Sequence, residues 1–514
     1  MKTGILIAVI LLVIAGATIG WQKKDAKIKH QQQNSGEAKD LEQRDAEDKK
    51  LQQRRDLEIL AGYARNAPAE IAADALISIA QSNKVTDQVW KRELLAEAFR
   101  TAAGAQHKVK RKSLPGSIVD TRSGYLSSAM LSNLDALSLQ CRAVKAMLSV
   151  DKTKARELFT EIPKLKLEPL SCEDPLVYDV SGFYETLTSV AKTAFTPKEI
   201  KQGEQTQFVK QYVEIQMSPA QVEIVAETIL SLELPATQFE ILVGAFSSAL
   251  EKVAGDYRSF SVPWLSTIPT MHKLTEACKR REIANDKLLE AFRAYLIKQF
   301  SADRCSDSST ASERKTAEAE QINYFNNNLR LAVYPDNKRI LPLSTDEIKP
   351  AKNEGAAKYY PYWQSSKAKK LLSRVQRLNF NDEGKKFTEA EKQGSEWQWR
   401  LSQFLADMTS WNPEDEKSEE DYFHQKNILL RGLLELVPAG PMHDDALNRL
   451  ITFLSDSKLQ QSDPIEWYWH AKRLTAKSRS AEGDGRLKII EALGHSRSPI
   501  LYLYTEIEKL KDQP

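Results

Sequence analysis

Apolar side chains recur through most of the chain at the spacing of an α-helix. In residues 68–82, Ile71 and Ile79 fall on one face together with several alanines, because residues three or four apart lie on the same side of a helix. Residues 88–103 repeat this spacing, and residues 83–87 between them are polar and turn-like. The pattern predicts an antiparallel pair of helices, since neither segment alternates as a strand would.

The helical spacing continues along the rest of the chain. Further helices are predicted over residues 124–149, 152–161, 175–193, 197–215, 219–232, 236–253, 268–283, 285–300, 364–378, 386–410, 418–437, 443–456, 464–477, 483–493 and 499–511. Several starts carry a capping side chain, usually followed by a proline, which suits the first turn because its N–H groups have no partner within the helix. These starts are Asp174-Pro175, Thr196-Pro197, Ser218-Pro219, Asp463-Pro464 and Ser498-Pro499, with Thr86 or Asp87 as the cap of the helix at 88–103. We predict no strand pair, because no hairpin turn separates alternating runs.

The helix pairs divide the chain into two helical regions. The sequence predicts an all-α fold in which antiparallel helical hairpins over residues 57–301 stack as an irregular, solenoid-like array. Residues 302–358, where the spacing loosens, are expected to link this array to a second, Trp-rich helical domain at 359–514. No tetratricopeptide, ankyrin or leucine-rich consensus fits the pairs, so an ordinary all-α domain is the alternative.

The N-terminal segment differs from everything that follows it. Residues 3–22 carry no charge, and about 20 helical residues at about 1.5 Å each cross the hydrocarbon core of a bilayer. We therefore predict that residues 1–22 are a transmembrane anchor or a signal peptide, with Ala-Gly-Ala at 15–17 as the cleavage site. Trp21, which lies beside lysines, favours the anchor. Residues 23–56 are mixed in charge and poor in apolar positions, which indicates a stalk or linker.

The charges around this segment leave its orientation open. Lysines follow it at positions 23, 24, 27 and 29, and the positive-inside rule would then hold the soluble part at the cytoplasmic face of the membrane. The short n-region, with Lys2 as its only charged side chain, favours export instead. We expect the soluble part in the periplasm or another extracytoplasmic compartment, and the cytoplasmic face is the alternative.

Composition narrows the class of partner. The net charge is +3, from 73 basic and 70 acidic residues, whereas a dedicated nucleic-acid binder carries a strong basic excess. Nucleic acid is therefore not an expected partner. The basic run at 107–112 offers charge to anionic lipid or nucleic acid, but it leads into Pro115-Gly116 and a solvated loop is the favoured interpretation.

The cysteines alternate between predicted helices and predicted loops. They are Cys141, Cys172, Cys278 and Cys305, and no CxxC occurs, which argues against zinc-ribbon and thioredoxin-like sites. Bridges 141–172 and 278–305 would each join a helix to the loop after it, as expected in an oxidising compartment. Four cysteines allow three pairings, and buried thiols that pack as small apolar groups are the alternative.

Two tryptophan pairs stand in similar segments of the second region. Trp397 and Trp399 lie in Glu-Trp-Gln-Trp-Arg, and Trp467 and Trp469 lie in Glu-Trp-Tyr-Trp-His. Residues two apart on a helix point about 200° apart, so the two rings of a pair cannot face one core. Each pair either bridges two packed layers, which is the favoured interpretation, or presents a ring that stacks on a sugar or peptide.

A further aromatic cluster marks the start of the second domain. It consists of Tyr359, Tyr360, Tyr362 and Trp363. Tyrosine and tryptophan are enriched in binding hot spots, because they bury a large area and keep a polar group. Packing of the linker explains this cluster equally well, so the cluster and the two tryptophan pairs are candidate partner-binding aromatics.

The sequence assigns no catalytic residue, metal ligand or cofactor. Met442-His443-Asp444-Asp445 offers ligating side chains, but consecutive helical residues cannot converge on one ion. The other histidines are scattered singly, at positions 30, 107, 272, 424, 470 and 495. No P-loop, nucleophile elbow or His-Glu-x-x-His segment occurs, although acidic pairs that folding brings together leave no motif.

These patterns favour a non-catalytic function. We expect a cell-envelope scaffold or protein-interaction module, membrane-tethered or exported, with a protein partner and a membrane contact through the N-terminal segment. Whether the chain is an enzyme is open, and the absence of motifs leans against it. One alternative is an α/α-toroid enzyme that acts on polysaccharide with paired carboxylates in an aromatic cleft. The other is a membrane-tethered adaptor at the cytoplasmic face.

Overall fold

A computed structural model describes residues 49, 51–113, 121–171, 173–260, 264–302, 363–478 and 484–512, together with positions 319, 323 and 326. The predicted anchor, most of the predicted stalk and nearly all of the predicted linker lie outside these residues. Within the described ranges, no helix combines the length and the apolar character needed to cross a bilayer. Met1–Gly62 and Tyr63–Pro514 are two compact units, and every contact discussed below lies in the second.

The described chain is all-α apart from one short ribbon, which confirms the predicted fold class. The helices of the first region are α1 (51–65), α2 (Ala69–Gln81), α3 (Gln88–Ala102), α4 (Thr121–Met130), α5 (Ala136–Met147), α6 (Lys152–Glu161), α7 (Ser181–Thr193), α8 (Pro197–Lys201), α9 (Glu204–Val213), α10 (Pro219–Ser231), α11 (Ala236–Leu250), α12 (Tyr257–Phe260), α13 (Trp264–Arg280) and α14 (Asp286–Phe300). Those of the second are α15 (Ser366–Asn379), α16 (Ser395–Thr409), α17 (Glu419–Leu436), α18 (Pro441–Asp456), α19 (Leu459–Ser462), α20 (Pro464–Ser478), α21 (Asp484–Gly494) and α22 (Pro499–Asp512).

Most of the predicted caps are present in the structure. Asp87 accepts hydrogen bonds from two backbone N–H groups at the start of α3. Thr196 and Ser218 each form a reciprocal capping box with the third helical residue. Asp463 and Ser498 accept hydrogen bonds from the first turns of α20 and α22. These starts were predictable because a cap depends on residues within one turn of each other.

The structure contains a strand pair, so the prediction that there is none was wrong. β1 (Arg111–Ser113) pairs antiparallel with β2 (Leu176–Tyr178), and Lys112 lies opposite Val177. β1 lies in the basic run, which is therefore not the predicted loop along its whole length. The predicted helix start at Asp174-Pro175 was also wrong, because the residues after the proline are extended and α7 begins later. Strands of three residues that lie far apart in the sequence give no alternation to detect.

Two predicted helices are each divided in the structure. The helix predicted at 124–149 is interrupted between α4 and α5, where Asn133 adopts a left-handed conformation with φ of 55°. The helix predicted at 197–215 is interrupted at Gly203, where φ is 79°. A left-handed residue ends a helix, and glycine and asparagine are the residues that adopt this conformation most readily.

Helices of the first region pack on neighbours that are close in sequence. α2 packs on α3; α5 packs on α3, α6 and α7; α10 packs on α7, α11 and α13; and α11 also packs on α9 and α14. In the second region, α15 packs on α16 and α17, α17 on α18, and α21 on α20 and α22. The two regions also meet, since α20 packs on α2 and α4, and α22 packs on α2.

A buried carboxylate links α2 to the second region. Asp74 lies on α2 and is 7% exposed. Its Oδ1 accepts a hydrogen bond from Arg142 at 2.6 Å, and its Oδ2 accepts one from the Tyr468 hydroxyl at 3.0 Å. Burial, and then the charge of Asp74, raise the pKa of Tyr468 well above its usual value. The hydroxyl therefore stays protonated and donates, which helps offset the cost of burying the carboxylate.

We expect Tyr468→Phe to lower the free energy of unfolding by about 1–2 kcal/mol, because it removes a hydrogen bond to a buried charged group and keeps the ring. Urea unfolding followed by circular dichroism measures this loss. Tyr502→Phe is the control, since Tyr502 is 37% exposed and its loss should stay within about 0.5 kcal/mol. Equal stabilities of the two variants would contradict the role assigned to Tyr468.

Candidate functional site

The structure separates the two tryptophan pairs into buried and exposed rings. Trp397 and Trp467 are fully buried, and Trp469 is 9% exposed. Trp399, by contrast, is 62% exposed on α16. Of these four candidate partner-binding aromatics, Trp399 alone presents its ring to solvent.

The two buried indoles occupy equivalent positions in the packing. Trp397 Nε1 donates to the carbonyl of Leu378 at 3.0 Å, near the end of α15. Trp467 Nε1 donates to the carbonyl of Leu454 at 3.2 Å, near the end of α18. The last carbonyls of a helix have no partner within it, so each indole satisfies a helix end while its ring fills the core.

Of the aromatic cluster at the start of the second region, the structure describes Trp363. Tyr359, Tyr360 and Tyr362 lie outside the described residues. Trp363 is half-buried and has a left-handed backbone, with φ of 68°. A partner-binding role for this cluster stays a prediction.

Two of the four cysteines can be placed. Cys141 on α5 and Cys278 on α13 are buried thiols, while Cys172 and Cys305 lie outside the described residues. Burial raises the pKa of the Cys141 thiol to about 12 and that of the Cys278 thiol to about 11. Because the thiolate is the reactive form, both side chains are chemically inert in the folded chain. The bridges 141–172 and 278–305 stay predictions.

A small cavity of about 240 Å³ lies between α5 and α7. Its wall contains three basic side chains, which suggests an anion site at first sight. Each of them has a carboxylate partner: Lys110 with Asp179 at 3.3 Å, Arg142 with Asp74 at 2.6 Å, and Lys145 with Glu185 at 3.0 Å. The positive charge is thus already balanced, and the cavity does not favour an anionic ligand.

Two histidines from different helices meet in the core between α17 and α20. His424 Nδ1 lies 3.0 Å from His470 Nε2, and both side chains are fully buried. On its other side, His424 Nε2 is in ion-pair contact with Glu466 Oε2, and Glu466 is 1% exposed. Three polar groups therefore follow one another in the core, in the order Glu466, His424 and His470.

The proton positions on Glu466, His424 and His470 follow from which ring nitrogens of each imidazole can donate and which can accept. If neutral His424 donates from Nε2 to Glu466, its Nδ1 carries a lone pair and His470 must donate to it from Nε2. His470 Nδ1 makes no hydrogen bond. Burial, and then the neighbouring His424, Arg431 and Arg473 side chains, hold the pKa of His470 well below its usual value. His470 is therefore neutral and fixes the orientation of the His424 ring.

Helix α4 supplies two further side chains to this centre. Arg122 Nε donates to Glu420 Oε1 at 2.9 Å, and Arg122 Nη2 contacts Glu420 Oε2, so the guanidinium holds both carboxylate oxygens. The Tyr125 ring lies parallel to the His424 ring with 5.3 Å between their centres. It also contacts Trp469 at 5.8 Å. Burial raises the pKa of Tyr125, so it packs as a neutral ring over the histidine.

Charge is distributed unevenly around the two histidines. Glu466 lies on the Nε2 side of His424, and Glu420, to which Arg122 is bound, lies close to both. Arg431 and Arg473 act on His470, and burial together with Arg473 lowers the pKa of Arg431 to about 10. Arg473 also lies over the Trp469 ring at 4.8 Å. The carboxylate side is the one where a cation would be favoured.

The carboxylate side brings three donor atoms together. One atom each from Glu420, His424 and Glu466 lie within 4.8 Å of one another. Imidazole nitrogen and carboxylate oxygen are donors that zinc and other divalent transition metals accept. A buried carboxylate beside an imidazole is also an acid–base pair, but the burial of Glu466 and His424 shields both from a large substrate in this conformation.

Taken singly, the histidines give no sign of this centre in the sequence. The signal is a repeated pentapeptide: Glu-Asp-Tyr-Phe-His at 420–424 and Glu-Trp-Tyr-Trp-His at 466–470. In each copy, glutamate and histidine are four residues apart, so both lie on one face of a helix. The two copies begin 46 residues apart, and side-chain contacts between α17 and α20 bring them together in the fold.

In native, full-length protein we expect Cys141 and Cys278 to resist a thiol reagent at pH 8, because both are buried and both have a raised pKa. The double variant Cys172→Ser/Cys305→Ser isolates these two thiols for Ellman titration. It should release almost no colour when native and two equivalents in denaturant. Rapid native labelling would contradict the burial of both thiols.

The unmodified chain, denatured without reductant, serves as the companion measurement. The predicted bridges leave no thiol to titrate under these conditions. Four reactive thiols would rule the bridges out and favour the cytoplasmic face for the soluble part.

Comparisons with models of protein families, with curated proteins and with solved structures find no match to this chain. Function is therefore inferred from the residues of this chain alone. Two features of the described residues are candidates for a functional role: the exposed Trp399 on α16, and the buried centre of Glu420, His424, Glu466 and His470.

Proposed function

We propose that this chain is a non-catalytic protein-interaction module or scaffold, tethered to the membrane or exported into the cell envelope. The observation that carries the proposal is the way the helices pack: in the described ranges, most of the packed pairs join helices that are close in sequence. Stacks of helical hairpins of this kind form extended surfaces on which proteins bind. The solenoid-like array and the Trp-rich second domain belong to this proposal.

Trp399 is the side chain that we propose as a partner contact. A tryptophan with 62% of its surface exposed offers a large apolar area that a partner would remove from water. Within its helix, Trp397 already fills the core and caps a helix end. The exposed ring is thus not needed to complete the packing of α16.

The polysaccharide-enzyme alternative has less support. It requires paired carboxylates at the base of an open aromatic cleft. Glu420 and Glu466 are close enough to form such a pair, but Glu466 is 1% exposed. Trp467 and Trp469, the aromatics that follow Glu466, pack into the core. A sugar chain would have to displace several packed side chains to reach this pair.

We expect a photo-reactive amino acid at Ala406 to cross-link a protein partner in cells that express the full-length chain, because Ala406 is exposed on α16 and lies two turns from Trp399. Trp399→Ala should abolish the cross-linked band, which is followed by immunoblotting. Leu131→Ala is the matched control, since Leu131 is 65% exposed outside this helix, and the band should persist. The proposed contact is wrong if the band survives Trp399→Ala, or if no band forms.

A further inference from the structure

We propose that Glu420, His424 and Glu466 bind one divalent first-row transition-metal ion, with Zn²⁺ as the reference ion. The site would join α17 and α20 inside the second region. This inference is independent of the proposed interaction surface on α16.

The repeated pentapeptide explains why these side chains meet. Each copy places a glutamate and a histidine one turn apart on a helix, so that both side chains point from the same face. The two faces oppose each other, as the 3.0 Å contact between His424 and His470 demonstrates. Glu466 of the second copy thereby faces His424 of the first. Paired Glu/His faces on neighbouring helices are a common way to build a metal site in a helical core.

The donor atoms are close to the separation that an ion needs. Zinc bonds to nitrogen and carboxylate oxygen are about 2.0–2.2 Å long, so tetrahedral donors lie about 3.4 Å apart. The three donor atoms of Glu420, His424 and Glu466 already lie within 4.8 Å of one another. To admit the ion, Glu466 Oε2 must move away from His424 Nε2, which it now touches, and Glu420 must turn toward His424. A water molecule would fill the fourth position, as in three-ligand zinc sites.

The surroundings hold His424 in the orientation that a metal requires. Its Nδ1 faces His470 Nε2, so its Nε2 is directed at the carboxylates. When a metal takes the lone pair of Nε2, the His424 proton lies on Nδ1 and donates to His470 Nε2, and His470 then carries its own proton on Nδ1. A hydrogen bond at the second ring nitrogen is the usual support of a metal-bound histidine. Tyr125, stacked on the ring, restricts its rotation.

The burial of Glu466 points to a ligand independently of the spacing. Glu466 is 1% exposed, and its Oε2 lies against His424 Nε2. A carboxylate in the core is costly unless a positive charge or several donors compensate for it. A divalent ion between Glu466 and His424 would supply that charge.

Arg122 competes with the ion for Glu420. Its guanidinium binds both oxygens of that carboxylate, and the two side chains are 42% and 23% exposed. An ion that takes Glu420 must loosen this pair. Removal of the guanidinium should therefore tighten metal binding at this site. If Glu420 served only as the structural partner of Arg122, the same removal would leave the metal affinity unchanged.

The proposal is tested by measuring metal binding to the metal-stripped, full-length chain. Zn²⁺ binding is followed by isothermal titration calorimetry and Co²⁺ binding by visible absorption. We expect one equivalent of either ion to bind, and Co²⁺ to give the spectrum of a site with few, mixed nitrogen and oxygen ligands. Glu420→Gln and Glu466→Gln should each weaken binding at least about tenfold, since even outer partners of a metal site account for 10–100-fold. Glu420→Gln changes the more exposed ligand, so it keeps the test decisive if Glu466→Gln does not fold.

Arg122→Ala provides the second arm of the test. We expect it to tighten Zn²⁺ binding by up to about fivefold, the range of a partly exposed ion pair. Arg92→Ala is the matched control, because Arg92 pairs with Asp151 at 3.2 Å with exposures of 45% and 28%, and it should leave the affinity unchanged. The proposal is overturned if no ion binds at millimolar concentration, or if both glutamine variants bind as the unmodified chain does.

Discussion

The fold depends on the side chains that form ion pairs and hydrogen bonds with the carboxylates buried in its core. Asp74 and Glu466 are both largely buried, and an uncompensated buried charge costs more than most packing contacts return. Asp74 is bound by Arg142 and by the hydroxyl of Tyr468, and Glu466 faces His424. These contacts determine which helices lie together, because each carboxylate and its partners come from different elements. The packing of α20 on α2 thus includes a specific polar bond as well as apolar area.

Two buried tryptophans provide hydrogen-bond partners for buried backbone carbonyls in the same way. Trp397 and Trp467 fill the core, and each also donates to a carbonyl near the end of a preceding helix. A helix end that is buried without such a donor would leave polar groups unsatisfied. The similarity between the two tryptophan segments therefore reflects a shared packing task of their first ring. The second rings differ, since Trp469 packs beside His470 and Trp399 stays exposed.

The sequence predicted those parts of the fold that depend on local interactions. Helix spacing and the caps at Asp87, Thr196 and Ser218 depend on residues within one or two turns, so reading along the chain found them. The ribbon of β1 and β2 depends on a pairing between distant segments of three residues each, which leaves no periodic trace. The centre at His424 is likewise non-local: the repeated pentapeptide was visible, but the packing of α17 against α20 was not.

The glutamates of the two pentapeptide copies have different partners and different exposure. Glu420 lies at the edge, where Arg122 of α4 holds it, whereas Glu466 lies inside, where it faces His424. The Arg122–Glu420 pair connects the first helical region to α17. Any cation that draws Glu420 toward His424 must weaken the Arg122–Glu420 pair. Because coupling between two binding events is reciprocal, a strong Arg122–Glu420 pair must in turn lower the affinity for the cation. The Glu420 carboxylate can therefore either pair with Arg122 of α4 or bind a cation together with His424 and Glu466, and each interaction weakens the other.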